Sequence, residues 1–395
     1  MSHLLDVEDL VLHHRVPRTI ADRVARRPAR VVRAVDGVSL HVDRGELVAL
    51  VGESGSGKSS TAQSILGLVT PSHGTVRIDG SAIEGLGARA MRPWRRRMQM
   101  VLQDPYGSLD PRCTVASIVE EPLLIHRLGG SAEQRRAKAV DALERAGLRP
   151  AETFLPRRPR ELSGGQRQRV AIAAGLVLDP SLLIADEPAS MLDVSVRAGV
   201  LGLLRELCDS GETGILLITH DLATVAHYAD RLAVMYLGRI VEEGPTRTVL
   251  EAPAHPYTRA LMSSVLHPDP RERGSRVVLG GDVPDPGARP DGCAFHPRCP
   301  LADDGCRTTD PALGPVDQRP AGHSAACLRP LPAGHTTTAP AGRTTTPDLA
   351  GRAETPDPVL WPDRRNHMPG GTAGTLPPAD PGAVPDPLPG GTVMP

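Results

Sequence analysis

Leu47-Val48-Ala49-Leu50-Val51-Gly52-Glu53-Ser54-Gly55-Ser56-Gly57-Lys58-Ser59-Ser60 is the stretch that decides the fold. Its second half fits G-x-x-x-x-G-K-[ST]. An apolar strand-like run precedes it, and the helix-like Thr61-Ala62-Gln63-Ser64-Ile65-Leu66 follows, which is the context the pattern requires. Glycines let backbone N–H groups turn inward around phosphate oxygens, and the helix adds its positive end. Lys58 is one of two lysines among 45 basic side chains. It falls where a compact ammonium suits the site better than a planar guanidinium fork. Gly52 to Ser60 form the candidate phosphate-binding loop, with Ser59 placed to hold Mg²⁺.

Outward from this loop the pattern is α/β. Strand candidates are Glu46–Val51, Gln99–Gln103, Leu182–Asp186 and Ile215–Thr219, separated by helix-like stretches, so a largely parallel sheet is expected. Before the loop, residues 4 to 50 alternate as an antiparallel β subdomain would, with a turn signal at Asp36-Gly37. A basic insertion from His13 to Arg33 interrupts them and reads as a solvated loop or as a contact for an anionic surface or partner. Residues 104 to 160 read as a helical subdomain set between two sheet strands, with Ala132–Ala146 its strongest amphipathic helix.

Composition removes several classes. A net charge of −1 and a pI near 6.9 are not the footprint of a nucleic-acid binder. The N-terminus carries an early acid and no apolar core, so it does not read as a secretory signal. No run approaches the roughly 18 apolar residues of a membrane span. Six cysteines spread over 395 residues read as thiols or metal ligands in a reducing compartment, not as a disulfide framework.

Further elements narrow the chemistry. Leu182-Leu183-Ile184-Ala185-Asp186-Glu187 is an apolar strand ending in two acids, suited to Mg²⁺ (Asp186) and to the attacking water (Glu187). Leu162-Ser163-Gly164-Gly165-Gln166 opens a helix and can bind an anion through backbone N–H groups. Gln103 in Leu102-Gln103-Asp104-Pro105, Ser190-Met191-Leu192-Asp193 and His220 in Ile218-Thr219-His220-Asp221 complete the order.

Over about residues 4 to 250 this order and spacing resemble the ATP-binding subunits of ATP-binding cassette (ABC) transporters. The resemblance implies an α/β P-loop ATPase with an antiparallel β subdomain, a helical subdomain and a small Cys-rich extension. It implies that Lys58 and the loop hold the β- and γ-phosphates, while Ser59, Gln103 and Asp186 serve Mg²⁺. Glu187 would polarise water, and His220 would meet the γ-phosphate. Ser163, Gly164, Gly165 and Gln166 would bind ATP held by an opposite subunit, with Asp193 at the seam. Two departures stand out. No aromatic precedes Trp94 to stack on adenine, so Val31, Val32 or an arginine plane must serve, and Met191 replaces the usual alanine.

After residue 250, His255-Pro256-Tyr257-Thr258-Arg259-Ala260-Leu261, Gly281-Asp282-Val283-Pro284 and Gly292-Cys293-Ala294-Phe295-His296-Pro297-Arg298-Cys299-Pro300 resemble the C-terminal extension of oligopeptide and dipeptide importer ATPases. Gln103 to Arg112 leans toward the second of the two paired ATPases in such systems. The implied partners are a second related ATPase in a heterodimer, two permease subunits and, indirectly, an extracytoplasmic binding protein. The implied place is the cytoplasmic face of the membrane, held peripherally, without nucleic acid. Cys293, Cys299, Cys306 and Cys327 are candidate ligands of a [4Fe–4S] cluster. The alternatives are zinc with His296 or His323, and plain buried thiols. Cys113 and Cys208 read as packing residues. Residues 331 to 395 are Pro/Gly/Thr-rich and read as disordered. One cassette without heptads argues against a soluble non-transport ATPase, and the presence of Glu187 and His220 argues against a purely regulatory nucleotide module.

Overall fold

The computed structural model describes residues 3–15, 31–263, 280–285 and 287–332, with backbone only at residues 15, 105 and 106. The expected disorder of the tail beyond residue 332, and the middle of the basic insertion, lie outside the described residues.

The chain opens with β1 (Leu5–Arg15), β2 (Val31–Val42) and β3 (Leu47–Val51), then α1 (Lys58–Ile65), β4 (His73–Ile78), β5 (Ser81–Ala82), α2 (Ala88–Arg97) and β6 (Met98–Val101). The helical block holds α3 (Val115–His126) and α4 (Ala132–Arg145), and α5 (Gly164–Leu176) leads back to the sheet. Then come β7 (Leu182–Asp186), α6 (Val194–Asp209), β8 (Gly214–Thr219), α7 (Leu222–Tyr228), β9 (Arg231–Tyr236) and β10 (Arg239–Pro245). The extension adds α8 (Pro256–Ser263), β11 (Gly314–Pro315) and β12 (Ser324–Ala325).

Two sheets result. A four-stranded antiparallel sheet runs β2-β1-β4-β5, and an eight-stranded sheet runs β11-β12-β10-β9-β3-β8-β7-β6. In the larger sheet β6, β7, β8, β3 and β9 are parallel, and β10, β12 and β11 continue it antiparallel. The parallel strands are buried on both faces, which is why they read as unbroken apolar runs. Along β3, Leu47, Ala49 and Val51 enter one core, while Val48 and Leu50 enter the other. The first core is filled from α3 to α7, the second from the antiparallel sheet, α1 and α2. Each fully buried Leu, Ile or Val adds about 1.5–3 kcal/mol.

Three sequence expectations change. Asp36-Gly37 is not a turn. Gly37, at φ +82°, is the extra residue of a bulge inside β2, where Leu10 faces Val38 and Val11 already faces Asp36. The ends of the basic insertion are strand, with His13 opposite Arg33, because the β-branched Val31 and Val32 extend β2 to meet β1. The antiparallel subdomain is not purely N-terminal, since β4 and β5 arrive after α1. In the helical block, α4 forms where the amphipathic pattern places it, and Ser131 caps it in a reciprocal box with Gln134.

The extension is sewn onto the sheet. Ala325 pairs with Glu242, and the Ala326 N–H reaches Val241 O at 2.8 Å. Glu242 is fully buried. Its carboxylate accepts the Ala254 and His255 N–H groups at 2.6 and 2.9 Å, and His323 Nε2 at 2.7 Å. Packing continues to Leu331, which is buried and whose N–H donates to Ala254 O. His255 is also buried, and its Nδ1 accepts the Tyr257 N–H at 3.1 Å.

Burial pushes the His255 pKa down to about 4, against the opposing pull of Glu242. With the folded value depressed, the unfolded chain takes a proton first as pH falls. The contribution is therefore whole above roughly pH 6.5 and is lost toward the folded value, a span worth about 3 kcal/mol. Urea unfolding of wild type and His255→Gln at pH 7 and near pH 4.5 should show the variant losing less stability on acidification. An identical loss in both would remove His255 as the cause.

Candidate functional site

The register of the parallel strands builds the site. Val51 pairs with Thr219, Ile218 with Asp186, and Ala185 with Val101. Four neighbouring strands thus release their chains at one level, the carboxyl edge where open α/β sheets bind ligands. That edge receives the loop after β3, Gln103 after β6, Asp186 and Glu187 at the end of β7, and His220 after β8.

The loop closes on itself around Lys58. The buried Nζ donates to Gly52 O at 2.8 Å, Glu53 O at 2.9 Å and Ser56 Oγ at 3.3 Å. Two glycines make this possible. A Cβ on Gly57, at φ +108°, would lie 2.2 Å from Ala34 O, and one on Gly52 would lie 2.2 Å from Met235 O.

Burial lowers the Lys58 pKa, while Glu187, Asp186 and Glu53 pull it back up. Burial also raises that of Asp186, which Glu187 reinforces and the hydrogen-bonded Ser59 and Lys58 oppose. Each charge is costly alone, and a Mg²⁺–phosphate group meeting both would give each a partner.

Three expected residues converge. Gln103 Nε2 donates to Glu187 Oε2 at 3.0 Å, and His220 Nδ1 lies 2.9 Å from Glu187 Oε1. Glu187 sits at φ +45°, unusual for a side-chain-bearing residue, and its N–H donates to Ile218 O at 2.8 Å. The strained turn aims the carboxylate across the mouth between β6 and β8.

Ser163 caps α5. Its hydroxyl accepts the Gln166 N–H, and Gln166 Oε1 accepts the Ser163 N–H. The first-turn N–H groups of Gly164 and Gly165 remain for an anion. Gly165 is required because a Cβ there would meet Val196 Cγ1 of α6 at 2.2 Å. Asp193 opens α6, exposed between Met191 (57% exposed) and Val194 (81% exposed). Ser54, Gly55 and Ser59 are exposed and Ser60 half-buried. Val31, opposite Arg15 at the start of β2, lines a surface pocket with Arg33, Arg239 and residues 287–292.

Sequence reading missed the residues that hold Glu53. Its N–H donates to the Tyr257 hydroxyl at 3.0 Å, and its carboxylate takes both terminal nitrogens of Arg298 at 2.9 and 3.3 Å. The His-Pro-Arg-Cys stretch was legible for its cysteines, but a contact 245 residues away leaves no local pattern. Beneath it, Tyr236, Tyr257 and Phe295 pack with centroids 4.7 to 5.4 Å apart.

Burial raises the thiol pKa values of Cys293, Cys299 and Cys327, the last to about 12. Neighbouring thiols of the group reinforce the rise at these three, yet no three of the four sulfurs lie within 4.8 Å of each other. His323 is engaged by Glu242, and His296 Nδ1 by Cys293 O at 3.0 Å. Cys208 is buried with its pKa raised to about 12 by burial, in keeping with a packing role. No described helix is long and apolar enough to cross a membrane.

Comparison with known proteins gives the following. Residues 35–190 match the family model "ABC transporter", and residues 241–306 match "Oligopeptide/dipeptide transporter, C-terminal region". The di/tripeptide transport ATP-binding protein DppF of Pseudomonas aeruginosa is 43% identical over 81% of this chain and 96% of its own length. The dipeptide transport ATP-binding protein DppF of Haemophilus influenzae is 45% identical over 75% of this chain and 89% of its own. A dimeric ATP-binding cassette solved in a post-hydrolysis state with ADP and phosphate superimposes with a TM-score of 0.54 at 30% identity, covering 62% of this chain and 99% of that one.

Glu187→Gln keeps the hydrogen-bonding shape but removes the charge. It should retain ATP binding and lose hydrolysis by at least about a hundredfold. Near-normal phosphate release from that variant would take Glu187 out of the chemistry.

Proposed function

The chain belongs to the ATP-binding proteins of ABC transporters, and on that premise we propose that it is the energy-coupling subunit of an importer for oligopeptides or dipeptides. It is an ATPase by family. The observation that carries the cargo reading is the C-terminal match over residues 241–306, joined to relatives named for dipeptide transport. Residues 1–250 are read as the ATP-binding domain and 251–330 as the importer-type extension.

In this reading Lys58 and the loop N–H groups hold the β- and γ-phosphates. Ser59, Gln103 and Asp186 serve Mg²⁺, whose charge steadies the phosphates when it is bound. Glu187 orients and deprotonates water, and His220 meets the γ-phosphate. The hydrogen bonds from Gln103 and His220 to Glu187 support this division of labour. Ser163, Gly164, Gly165 and Gln166 act on the ATP of an opposite subunit, a second related ATPase. The apolar exposure of Met191 and Val194 around Asp193 supports a subunit seam there. Exposed Leu124 and Ile125 support docking of two permease subunits at the helical subdomain, on the cytoplasmic face of the membrane, with an extracytoplasmic binding protein acting through them.

The four cysteines hold a [4Fe–4S] cluster in this reading. Their sulfurs spread wider than one tetrahedral zinc, with Zn–S near ~2.3 Å, would draw them. Bound, the cluster would staple a Pro- and Gly-rich segment with little core of its own.

Two measurements test the reading. Anaerobically purified protein should carry about four irons per chain and absorb near roughly 400 nm, both lost in Cys293→Ser. Zinc alone, or no metal, would overturn the cluster. Co-purified with its permease, the chain should hydrolyse ATP faster when a peptide-loaded binding protein is added. Stimulation by a sugar-loaded or metal-loaded protein instead would overturn the peptide cargo.

A further inference from the structure

Arg298 stands between the cysteines and the phosphate-binding loop. Its own turn is tight: Phe295 O accepts the Arg298 N–H at 3.0 Å, and His296 O accepts that of Cys299 at 3.3 Å. The turn carries Cys293 and Cys299, and also the guanidinium that grips both Glu53 oxygens. The Arg298 side chain is 8% exposed, and its guanidinium carbon lies 6.0 Å from the centre of the Tyr236 ring. Glu53 is therefore held at its carboxylate by Arg298, at its N–H by Tyr257, and at its carbonyl by Lys58. Two of these three holds come from the extension.

The charge matters as much as the position. A carboxylate in a loop that wraps a triphosphate repels the ligand, and that repulsion is strong where water is scarce. A bidentate guanidinium cancels it and fixes its direction.

We propose that Arg298 is a positioning residue for ATP: it neutralises and orients Glu53, and through it the state of the Cys293 and Cys299 thiols is reciprocally coupled to nucleotide affinity. Whatever bonds those thiols sets the turn that carries Arg298, and linkage requires ATP to favour the same state. The inference rests on ATP binding alone, so it survives or fails independently of the peptide and cluster readings.

The test measures the affinity of the purified full chain for a fluorescent ATP analogue with Mg²⁺, alongside its thermal midpoint. Arg298→Gln should weaken binding about tenfold, within the usual range of site-to-site couplings. Arg298→Lys should keep most of the affinity. Adding Glu53→Gln to Arg298→Gln should restore it to within about threefold, because the uncancelled carboxylate is gone. A merely structural loss would not be repaired by a second substitution. Unchanged affinity in Arg298→Gln, or no rescue by Glu53→Gln, overturns the proposal. Cys299→Ser should weaken binding in the wild-type chain and add nothing in the double variant. No effect in the wild type, or an equal effect in both, overturns the coupling to the thiols.

Discussion

The alignment of four parallel strand ends is the constraint on which the rest depends. Parallel hydrogen bonding fixes Val51 beside Thr219, Ile218 beside Asp186 and Ala185 beside Val101. Because side chains alternate, a one-residue slip of β7 would send Leu183 and Ala185 into the wrong core and carry Asp186 to the level of its neighbour. Two apolar cores, one on each face, therefore hold the acids in place. The carboxyl edge keeps its register because burial on both faces penalises a one-residue slip.

Much of this was legible in the sequence, and for a physical reason. A loop that must turn through positive φ and approach Ala34 and Met235 closely admits only glycine at Gly57 and Gly52, so the constraint is written into the local string. The apolar runs of β3, β7 and β8 announce strands covered twice. What escaped has no local record. Gly37 looks the same in a bulge as in a turn, and only pairing with Leu10 and Val11 tells them apart. β12 is two residues long and has no period of its own. The grip of Arg298 on Glu53 exists only once the chain has folded.

The chain also manages with few rings. It has two Phe, four Tyr and two Trp, and three of these eight, Tyr236, Tyr257 and Phe295, pack tilted or edge-to-face behind the phosphate loop. Such contacts are worth about 0.5–1.5 kcal/mol each beyond burial. The rings are thus placed where the extension meets the core, and the surface pocket beside Val31 is lined without an aromatic ring.

The pairing of β12 with β10 has one more consequence. A cassette sheet that stopped at β10 would present a seven-residue strand with unpaired N–H and C=O groups, a template for other copies of the chain. The extension covers the middle of that edge, at Val241, Glu242 and Glu243, and there passes the rim to β11, two residues long and ending in Pro315, which has no N–H to offer. At the opposite rim β6 is four residues long. An edge blunted in this way offers a poorer template to a second copy of the chain, whatever the cysteines bind.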